Sequence, residues 1–466
     1  MKRISILLLA VGCFSVWARD IDLEQHVSKY WAKYHNMKIE IGDGDKRWPV
    51  SPELKAERLR HFRAMVMRFA PHIVAEYSRI DKVFKWKDGT FLGMARFGAK
   101  EVVTKPDARA EYHECTSWAS MPDLNGSNTI FIHKNRDSKA SSLTLLRRAV
   151  PGKHAWIGNG SQYSFHPTQG VNDRGVVVVM NSGDPQVEVD NSQYGMGTPL
   201  IARILLEECG NAEAAVELLK KIIMDKAYTH VECGSIWFIG DKDGVFVVEH
   251  SARKFVARKV EKGFVIRANA FHYPELVSSS LRNFKSLLGH YRREFAVRDF
   301  LINQQWRNNG VITPGDYAAA SRINSFPDKS DSYPTCGKST VSSTTFAIDR
   351  EFPEVLTTAY MVFGPPRSAC YLPVPLTVRD IPEDILNGKF SNRSLALHKD
   401  KKPLLPEKEL AALEARLRER HAQAVNAARK LLRTSRKHTA YQDAAKILND
   451  AFLANWQDIV AVIKEK

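Results

Sequence analysis

The residue types best suited to chemistry stand in two short segments of the chain. Cys115-Thr116-Ser117 places a thiol ahead of two hydroxyl groups, and Lys134-Asn135-Arg136-Asp137 adds two cations and a carboxylate. A cysteine in such a polar, cationic setting is a candidate nucleophile, because nearby positive charge favours the reactive thiolate. The alternative interpretation is a disulfide cysteine followed by a charged turn.

The sequence between these segments predicts a hairpin that would bring them together. One short strand begins at Cys115, Asn125-Gly126-Ser127 forms a turn, and a second strand ends at Asp137. Asp137 then lies on the neighbouring strand and points back towards Cys115. The hairpin therefore predicts that the thiol and the charged cluster share one site.

Beyond this hairpin, the chain alternates blocks of strands and helices. Residues 175–181 form a fully apolar strand, buried on both faces, and residues 198–224 are amphipathic helices. Further hairpins are predicted around Asn159-Gly160, over residues 235–249 and over residues 341–363. This order predicts an α+β sandwich of sheets with helices outside. No Gly-x-Gly-x-x-Gly follows a strand, so a doubly wound nucleotide-binding fold is not expected.

The first residues have the pattern of a secretion signal. Met1-Lys2-Arg3 precedes an apolar run that is too short to span a bilayer permanently, and the small residue Ala18 follows it. We predict a signal peptide over residues 1–18 and an exported protein, either periplasmic or extracellular. The alternative is a lipoprotein anchored through Cys13, because residues 9–13 fit a lipobox.

Helical regions flank the strand-rich part of the chain. Residues 19–114 are mostly helical, with a capped helix start at Ser51-Pro52-Glu53 and a second helix from Pro71. They end in a polar stretch, residues 105–114, that is suited to cleavage. Residues 377–466 form a linker and a hairpin of two amphipathic helices. This hairpin packs on the core or, alternatively, docks a partner or the cell wall.

Composition narrows the class of protein. The chain has 466 residues, of which 44% are hydrophobic and 26% charged, as in globular proteins. A net charge of +16 is compatible with association with the cell envelope. The basic residues are spread out and no nucleic-acid-binding motif accompanies them, so we expect no nucleic-acid partner. No motif indicates a cofactor or a metal site.

The cysteine count bears on the candidate nucleophile. The chain has six cysteines, and Cys13 would leave with the signal peptide. An odd number in an exported chain predicts disulfide pairs plus one free thiol. If Cys115 is the free thiol, three connectivities remain open for the other four cysteines, Cys209, Cys233, Cys336 and Cys370. No Cys-x-x-Cys favours a zinc or redox site.

Cys115-Thr116-Ser117, the turn and the Lys134-Asn135-Arg136-Asp137 ending together resemble the cysteine Ntn-hydrolases. The closest resemblance is to the acyl-coenzyme A:isopenicillin N acyltransferase-like family, in the superfamily of choloylglycine hydrolase and penicillin V acylase. It covers residues 60–376, including segments 69–77, 94–97, 175–181, 267–272 and 364–366. Three features depart from the family pattern. One is that Ala268 and Ala270 flank Asn269, where Thr and His are common in the family. Many relatives have glycine at the position of Glu114, and choloylglycine-hydrolase relatives have Arg-Asn-x-Asp at the charged cluster.

The resemblance implies a four-layer αββα fold and a zymogen that cuts itself between Glu114 and Cys115. Residues 19–114 would be a pro-segment that stays associated with a catalytic core over residues 115–376. An N-to-S acyl shift would cut the chain, and the freed α-amine, with an ordinary pKa of about 7.7–8.0, would take the thiol proton. A thioester on Cys115 would then mediate cleavage of a linear amide C–N bond, with water or an amine as acceptor.

The resemblance also assigns roles to individual residues. Asp137 would hold the α-amine, Asn269 would donate to the oxyanion, and Asn181 would line the same pocket. Three cations would support the site or bind a carboxylate of a small-molecule amide or acyl substrate: Lys134, Arg136 and Arg282. Each polar residue has a simpler alternative as a turn, cap or surface residue.

Two other functions remain open on the sequence. A dipeptidase of the same superfamily is one, because Asn125-Gly126-Ser127 before a strand ending in Asn-Arg-Asp-Ser also resembles that group. The other is a non-catalytic exported binding module with a degenerate site and a helical docking hairpin.

Overall fold

The computed structural model describes residues 51–97, 115–138, 143–161, 166–185, 195–229, 233–280, 284–323, 335–400, 402–435 and 439–464. The predicted signal peptide, Cys13, the polar stretch 105–114 with Glu114, and Arg282 lie outside these ranges. The four domain ranges given above stay predictions.

Helices stand at both ends of the described chain and between its strands. The helices are α1 (Pro52–Phe69), α2 (Pro71–Val83), α3 (Thr90–Phe97), α4 (Pro122–Asn125), α5 (Thr198–Glu208), α6 (Ala212–Met224), α7 (Pro274–Val277), α8 (Phe284–Arg307), α9 (Pro314–Ala320), α10 (Pro353–Leu356), α11 (Glu383–Leu386), α12 (Lys389–Lys399), α13 (Glu407–Thr434) and α14 (Ala440–Lys464). In the described ranges, no helix combines the length and apolar character needed to cross a membrane.

The strands form two antiparallel sheets. The strands are β1 (Thr116–Ser120), β2 (Thr129–Asp137), β3 (Leu143–Arg148), β4 (Trp156–Ser161), β5 (Gln169–Asn172), β6 (Val177–Pro185), β7 (Cys233–Asp241), β8 (Gly244–His250), β9 (Phe255–Val260), β10 (Phe264–Arg267), β11 (Thr340–Asp349), β12 (Thr358–Val362) and β13 (Leu372–Pro375). One sheet has the order β10-β1-β2-β11-β12-β13, and the other has the order β3-β4-β5-β6-β7-β8-β9.

The two sheets face each other across an apolar core. Ile130 and Ile132 of β2 pack in the same buried cluster as Val177 and Val179 of β6. Side chains alternate along a strand, so every second residue of β2 points between the sheets. The predicted apolar strand is therefore a central strand, buried as its sequence indicated.

Helices cover the outer face of each sheet. Residues of α1, α2, α5 and α6 pack in one cluster with the outward side chains of β4, β6 and β7. On the other side, Val297 of α8 and Tyr317 of α9 pack with Trp118 and Phe131. The order helix, sheet, sheet, helix confirms the predicted α+β fold with four αββα layers.

The C-terminal hairpin packs against the sandwich. Leu417 of α13 and Phe452 of α14 belong to the cluster that also contains Val374 of β13. Ala428 of α13 packs with Leu356 of α10 in a smaller cluster. The apolar stripes of the two helices are thus used against the core, which favours the first of the two interpretations of this hairpin.

One predicted hairpin is wrong. Asn159-Gly160 lies within β4, which pairs continuously with β3 and β5. A Cβ atom on Gly160 would lie 2.7 Å from Cδ1 of Leu146 and 2.9 Å from the carbonyl oxygen of His166. Glycine is required here because neighbouring atoms approach closely, and an Asn-Gly pair gives the same sequence signal as a turn.

The predicted disulfide pairs are also absent from the described residues. All five described cysteines are free, buried thiols. Cys209 packs in the apolar layer outside the seven-stranded sheet, whereas Cys370 packs in the core between the sheets. An odd cysteine count indicates that at least one thiol is free, but it cannot show that the others are close enough to pair.

Candidate active site

Cys115 immediately precedes β1, and its side chain is buried between the two sheets. The register of β1 and β2 pairs Ser117 with Lys134 and Thr116 with Asn135. Continuing this register by one pair places Cys115 opposite Arg136. Directly opposed residues share a face of the sheet, so the predicted hairpin does bring the thiol together with Lys134 and Arg136.

Lys134 makes the most direct contact with the thiol. Lys134 is only 2% exposed, its Nζ donates to the carbonyl oxygen of Met180, and it interacts electrostatically with the Cys115 side chain. Burial lowers the pKa of Lys134, and the nearby charge of Arg136 lowers it further. Among the described residues, neither Lys134 nor Arg136 forms a salt bridge with a carboxylate. The thiol therefore faces two basic side chains, neither of which is paired with a described carboxylate.

Arg293 of α8 fixes the backbone of Cys115, the candidate nucleophile. Its Nη1 donates to the carbonyl oxygen of Cys115 at 2.9 Å and to Oγ1 of Thr116 at 3.1 Å. Its Nη2 donates to Oδ1 of Asn269 at 3.1 Å. One guanidinium thus connects α8 with the start of β1 and with Asn269 after β10. Its planar fork suits this geometry.

Sequence reasoning missed Arg293 and named Arg282 instead. The signal that could have found it is the helical spacing of His290, Arg293 and Glu294, which places three polar groups on a face that should be apolar. Glu294 accepts from the backbone N–H of Ala268 at 2.8 Å, and its carboxylate also contacts Nε2 of His272. This face of α8 therefore holds the end of β10.

The two predicted asparagines lie close to the nucleophile. Asn269 follows β10, and its Nδ2 donates to the carbonyl oxygen of Ser182 at 2.7 Å. Asn181 of β6 accepts from Oγ of Ser117 at 2.8 Å. Its Nδ2 donates to the carbonyl oxygens of Arg267 and Ala268, at 3.1 Å each. Asn181 therefore ties the two sheets together beside Cys115, and the oxyanion role of Asn269 stays a prediction.

Asp137 ends β2 one residue beyond Arg136. Its Oδ1 accepts a hydrogen bond of 2.5 Å from Oγ1 of Thr340. Burial lowers the pKa of Lys134 and of Arg136, and the negative charge of Asp137 offsets a small part of that effect. The predicted contact with the α-amine of Cys115 stays a prediction.

His133 lies on the opposite face of β2. Its ring stacks on Trp118 with 3.8 Å between the centroids, and its Nδ1 is 2.7 Å from Oγ1 of Thr345. Burial lowers the pKa of His133 to about 3, so the ring is neutral at physiological pH. This histidine is a buried structural group on the far side of the strand from the thiol.

Three of the other buried thiols are poor nucleophiles. Burial raises the pKa of Cys209 and of Cys336 to about 12, and it also raises the pKa of Cys370. The thiolate is the reactive form, so these cysteines are inert at neutral pH. In the described ranges, no group of three or more His, Cys, Asp or Glu side chains is placed to hold a metal ion.

The described chain combines a two-sheet αββα sandwich with a buried cysteine just before an inner strand. Residues 124–294 match the model of the acyl-coenzyme A:6-aminopenicillanic acid acyl-transferase family, which confirms the resemblance over that stretch. The match contains Lys134, Asp137, Asn181, Asn269 and Arg293, and it begins after Cys115. Over this stretch the chain is similar to a family named for acyl transfer.

Several solved structures are similar to this chain at low identity. A mutant conjugated bile acid hydrolase from Clostridium perfringens is 11% identical with a TM-score of 0.37, and the alignment covers 57% of this chain and 95% of that one. The Caenorhabditis elegans ortholog of N-acylethanolamine-hydrolyzing acid amidase is 15% identical with a TM-score of 0.34, covering 50% and 92%. Penicillin V acylase from Agrobacterium tumefaciens is 16% identical with a TM-score of 0.33, covering 56% and 86%. No curated protein matches the chain in sequence.

Proposed function

We propose that this chain is an exported, self-processing enzyme that cleaves a linear amide C–N bond through a thioester on Cys115. The observation that carries the proposal is the buried thiol of Cys115, which lies beside the Lys134 side chain while Arg293 holds its backbone carbonyl. Such a fixed, cationic setting suits a cysteine nucleophile. The family match over residues 124–294 supports acyl transfer as the type of reaction.

The first step of the proposed mechanism is self-cleavage. The thiol of Cys115 attacks the carbonyl carbon of Glu114, the C–N bond between the two residues breaks, and a thioester forms. Water then hydrolyses the thioester, which frees the fragment ending at Glu114 and leaves Cys115 as a new N-terminus. Its α-amine has an ordinary pKa near neutrality, about 7.7–8.0, so it can take the thiol proton during turnover.

The second step is substrate cleavage. Sγ of Cys115 attacks the carbonyl carbon of a linear amide, and the oxyanion accepts a hydrogen bond from Asn269. The tetrahedral intermediate collapses with loss of the amine, which takes a proton, and the acyl group remains on sulfur. Water or a second amine then removes it. Asp137 holds the α-amine, and Arg136 at the edge of the site is available to a substrate carboxylate.

The helices before Cys115 remain bound after cleavage in this proposal. Oε1 and Oε2 of Glu76 on α2 each accept from Arg203 on α5 at 2.9 Å, and Arg148 adds a third contact at 2.6 Å. These charges are buried, so separating the two fragments would leave them unpaired at a high cost.

Intact-mass measurement of the purified chain tests the self-cleavage. We expect two fragments that stay together under native conditions, the larger one beginning at Cys115, and we expect Cys115→Ala to stay whole and inactive. Cys209→Ala is the matched control, because it removes an inert buried thiol and should leave cleavage intact. A wild-type chain that stays whole and shows no thiol-dependent amidase activity would favour the non-catalytic binding module.

A substrate panel tests the reaction class. Penicillins, N-acyl amino acids, bile-acid conjugates and dipeptides present different acyl and amine groups on a linear amide. Turnover of an N-acyl compound without dipeptide cleavage is the expected result, and preference for dipeptides would support the dipeptidase instead. Mass spectrometry of the exported protein also separates cleavage after Ala18 from a lipid on Cys13.

A further inference from the structure

The uncut chain poses a chemical problem that the finished enzyme does not have. Before self-cleavage, the nitrogen of Cys115 is an amide and cannot accept a proton. The thiol must still lose its proton to attack Glu114. Another group in the buried site has to take that proton.

Lys134 is placed to do so. The pairing of Ser117 with Lys134 puts Lys134 on the face of the sheet that Cys115 shares. Its side chain interacts electrostatically with the thiol, and its Nζ reaches the carbonyl oxygen of Met180. A neutral amine has a lone pair as well as N–H donors, so it can donate to Met180 while it accepts from the thiol. Burial without a carboxylate partner favours this neutral form and lowers the pKa of Lys134 below its ordinary value of 10.5.

The other polar groups around the thiol are less suited to the task. Arg136 and Arg293 carry guanidinium groups, which do not lose their proton in proteins. His133 is on the opposite face of β2 and hydrogen-bonded to Thr345. Oδ1 of Asp137 is already engaged, because it accepts from Oγ1 of Thr340.

We infer that Lys134 is the general base of self-cleavage in the uncut chain. This inference rests on the proposed function. The proton of the Cys115 thiol passes to Nζ of Lys134 as Sγ forms a bond to the carbonyl carbon of Glu114. The resulting ammonium then returns the proton to the nitrogen of Cys115 as the C–N bond breaks. In the mature enzyme the freed α-amine takes over as base, so Lys134 would matter most for the first cut.

The test compares Lys134→Arg with Lys134→Met. Arginine keeps the positive charge but cannot accept the proton, whereas methionine removes both the charge and the base. Loss of general-base catalysis slows a reaction by about 10²–10⁴-fold, so we expect both variants to self-cleave at least about 10²-fold more slowly at neutral pH. Intact mass against time measures the rate. The exposed Lys446→Met on α14 is the control and should cleave like the wild type.

The pH dependence gives a second readout. The groups acting electrostatically on Lys134 are Cys115, on the facing strand, and Arg136 and Asp137 on its own strand, while the opposite sheet offers the carbonyl of Met180. The wild-type rate should rise with pH and level off as Lys134 becomes neutral, below its ordinary 10.5. The rate of Lys134→Arg should keep rising to higher pH, because only hydroxide or water then takes the proton.

A pre-cut form separates this inference from the proposed function. Replacing residues 111–114 of the full chain with Ile-Glu-Gly-Arg lets factor Xa expose Cys115 as an N-terminus. With Lys134→Arg in this background, we expect amidase activity to fall far less than the rate of self-cleavage does, because the α-amine is the base in the cut chain. Unimpaired self-cleavage of both Lys134 variants would overturn the base role alone. Both proposals would be overturned if the wild-type chain does not self-cleave and the chain carrying only the factor Xa site stays inactive after it is cut.

A folding defect is distinguishable from a lost base. If Lys134→Arg or Lys134→Met slows self-cleavage, its thermal unfolding should still be cooperative, and factor Xa should restore activity in the Lys134→Arg chain. A variant that stays uncut and remains inactive after factor Xa would contradict the inference, because the residue would then be needed for the architecture of the site.

Discussion

The molecule has two groups of charged side chains that differ in whether carboxylates pair with the cations. Outside the seven-stranded sheet, Arg203 binds Glu76 through two hydrogen bonds of 2.9 Å and Glu207 through a third of 2.8 Å. Between the sheets, Lys134 and Arg136 lie beside Cys115 without a salt bridge to any described carboxylate. In the first group carboxylates balance the cations, whereas the second consists of basic side chains without a carboxylate partner.

The difference follows from what each group has to do. A buried carboxylate is stable only when hydrogen bonds and opposite charges replace its water, and Glu207 also accepts from Nε1 of Trp156 at 3.0 Å. An active site instead needs a charge that remains available to a thiolate or to a substrate. The balanced group therefore joins the N-terminal helices to the core, and the unbalanced one serves the thiol.

The largest loss of stability is expected from a change in the balanced group outside the seven-stranded sheet, which we call the outer group. Glu76→Gln leaves Arg203 and Arg148 facing a neutral amide, and breaking a buried ion pair in this way costs about 3–5 kcal/mol. Denaturant unfolding of the whole protein measures this loss. Glu57→Gln on the exposed side of α1 is the matched control and should change the free energy of unfolding by less than about 0.5 kcal/mol. Equal stability of the two variants would show that the outer group contributes no specific pairing.

Arg293→Met should produce the next largest effect, on catalysis. Cys115 and Asn269 would lose the group that holds them in register, and loss of oxyanion alignment lowers kcat by about 10²–10³-fold. The decrease should appear in kcat more than in KM, and Arg293→Lys should restore part of it. Steady-state kinetics on the pre-cut chain measures both constants. A change confined to KM would indicate that Arg293 binds substrate and does not position the nucleophile.

Acid should weaken the balanced group. Burial raises the pKa of Glu207, but Arg203, His72 and Trp156 outweigh it and bring the pKa down to about 2. The unfolded chain then binds a proton near pH 4.5 and the folded chain does not, so the stabilisation is present above pH 4.5 and is lost as pH falls. We expect the stability advantage of wild type over Glu207→Gln to shrink by about 2 kcal/mol between pH 6 and pH 3. Urea unfolding at several pH values tests this, and a constant difference would contradict it.

The hairpin at the site was predictable because its information is local. Alternation along β1 and β2, together with the turn between them, is enough to place Cys115 near Lys134 and Arg136. The cap at Ser51 and the amphipathic helices are likewise short-range features. The layered fold followed from the order of these elements.

Contacts between distant segments could not be predicted in the same way. Arg293 reaches Cys115 only because α8 packs across β10 and β1, and a helical spacing shows a polar face without showing what it meets. The pairing of Glu76 with Arg203 depends on the packing of α2 against α5. The predictions of a hairpin at Asn159-Gly160 and of disulfide pairs were wrong for a related reason. Close approach of atoms and pairing of cysteines are properties of the packed molecule.

The smallest expected effect completes the comparison between the two groups. Arg136→Met removes a cation that leaves no carboxylate unpaired, so the free energy of unfolding should change by less than about 1 kcal/mol. The same change should lower activity most for substrates that carry a carboxylate. Parallel unfolding and kinetic measurements on neutral and anionic amides test both statements. A loss of stability as large as that of Glu76→Gln would mean that Arg136 has a buried anionic partner, and the site would then be as balanced as the outer group.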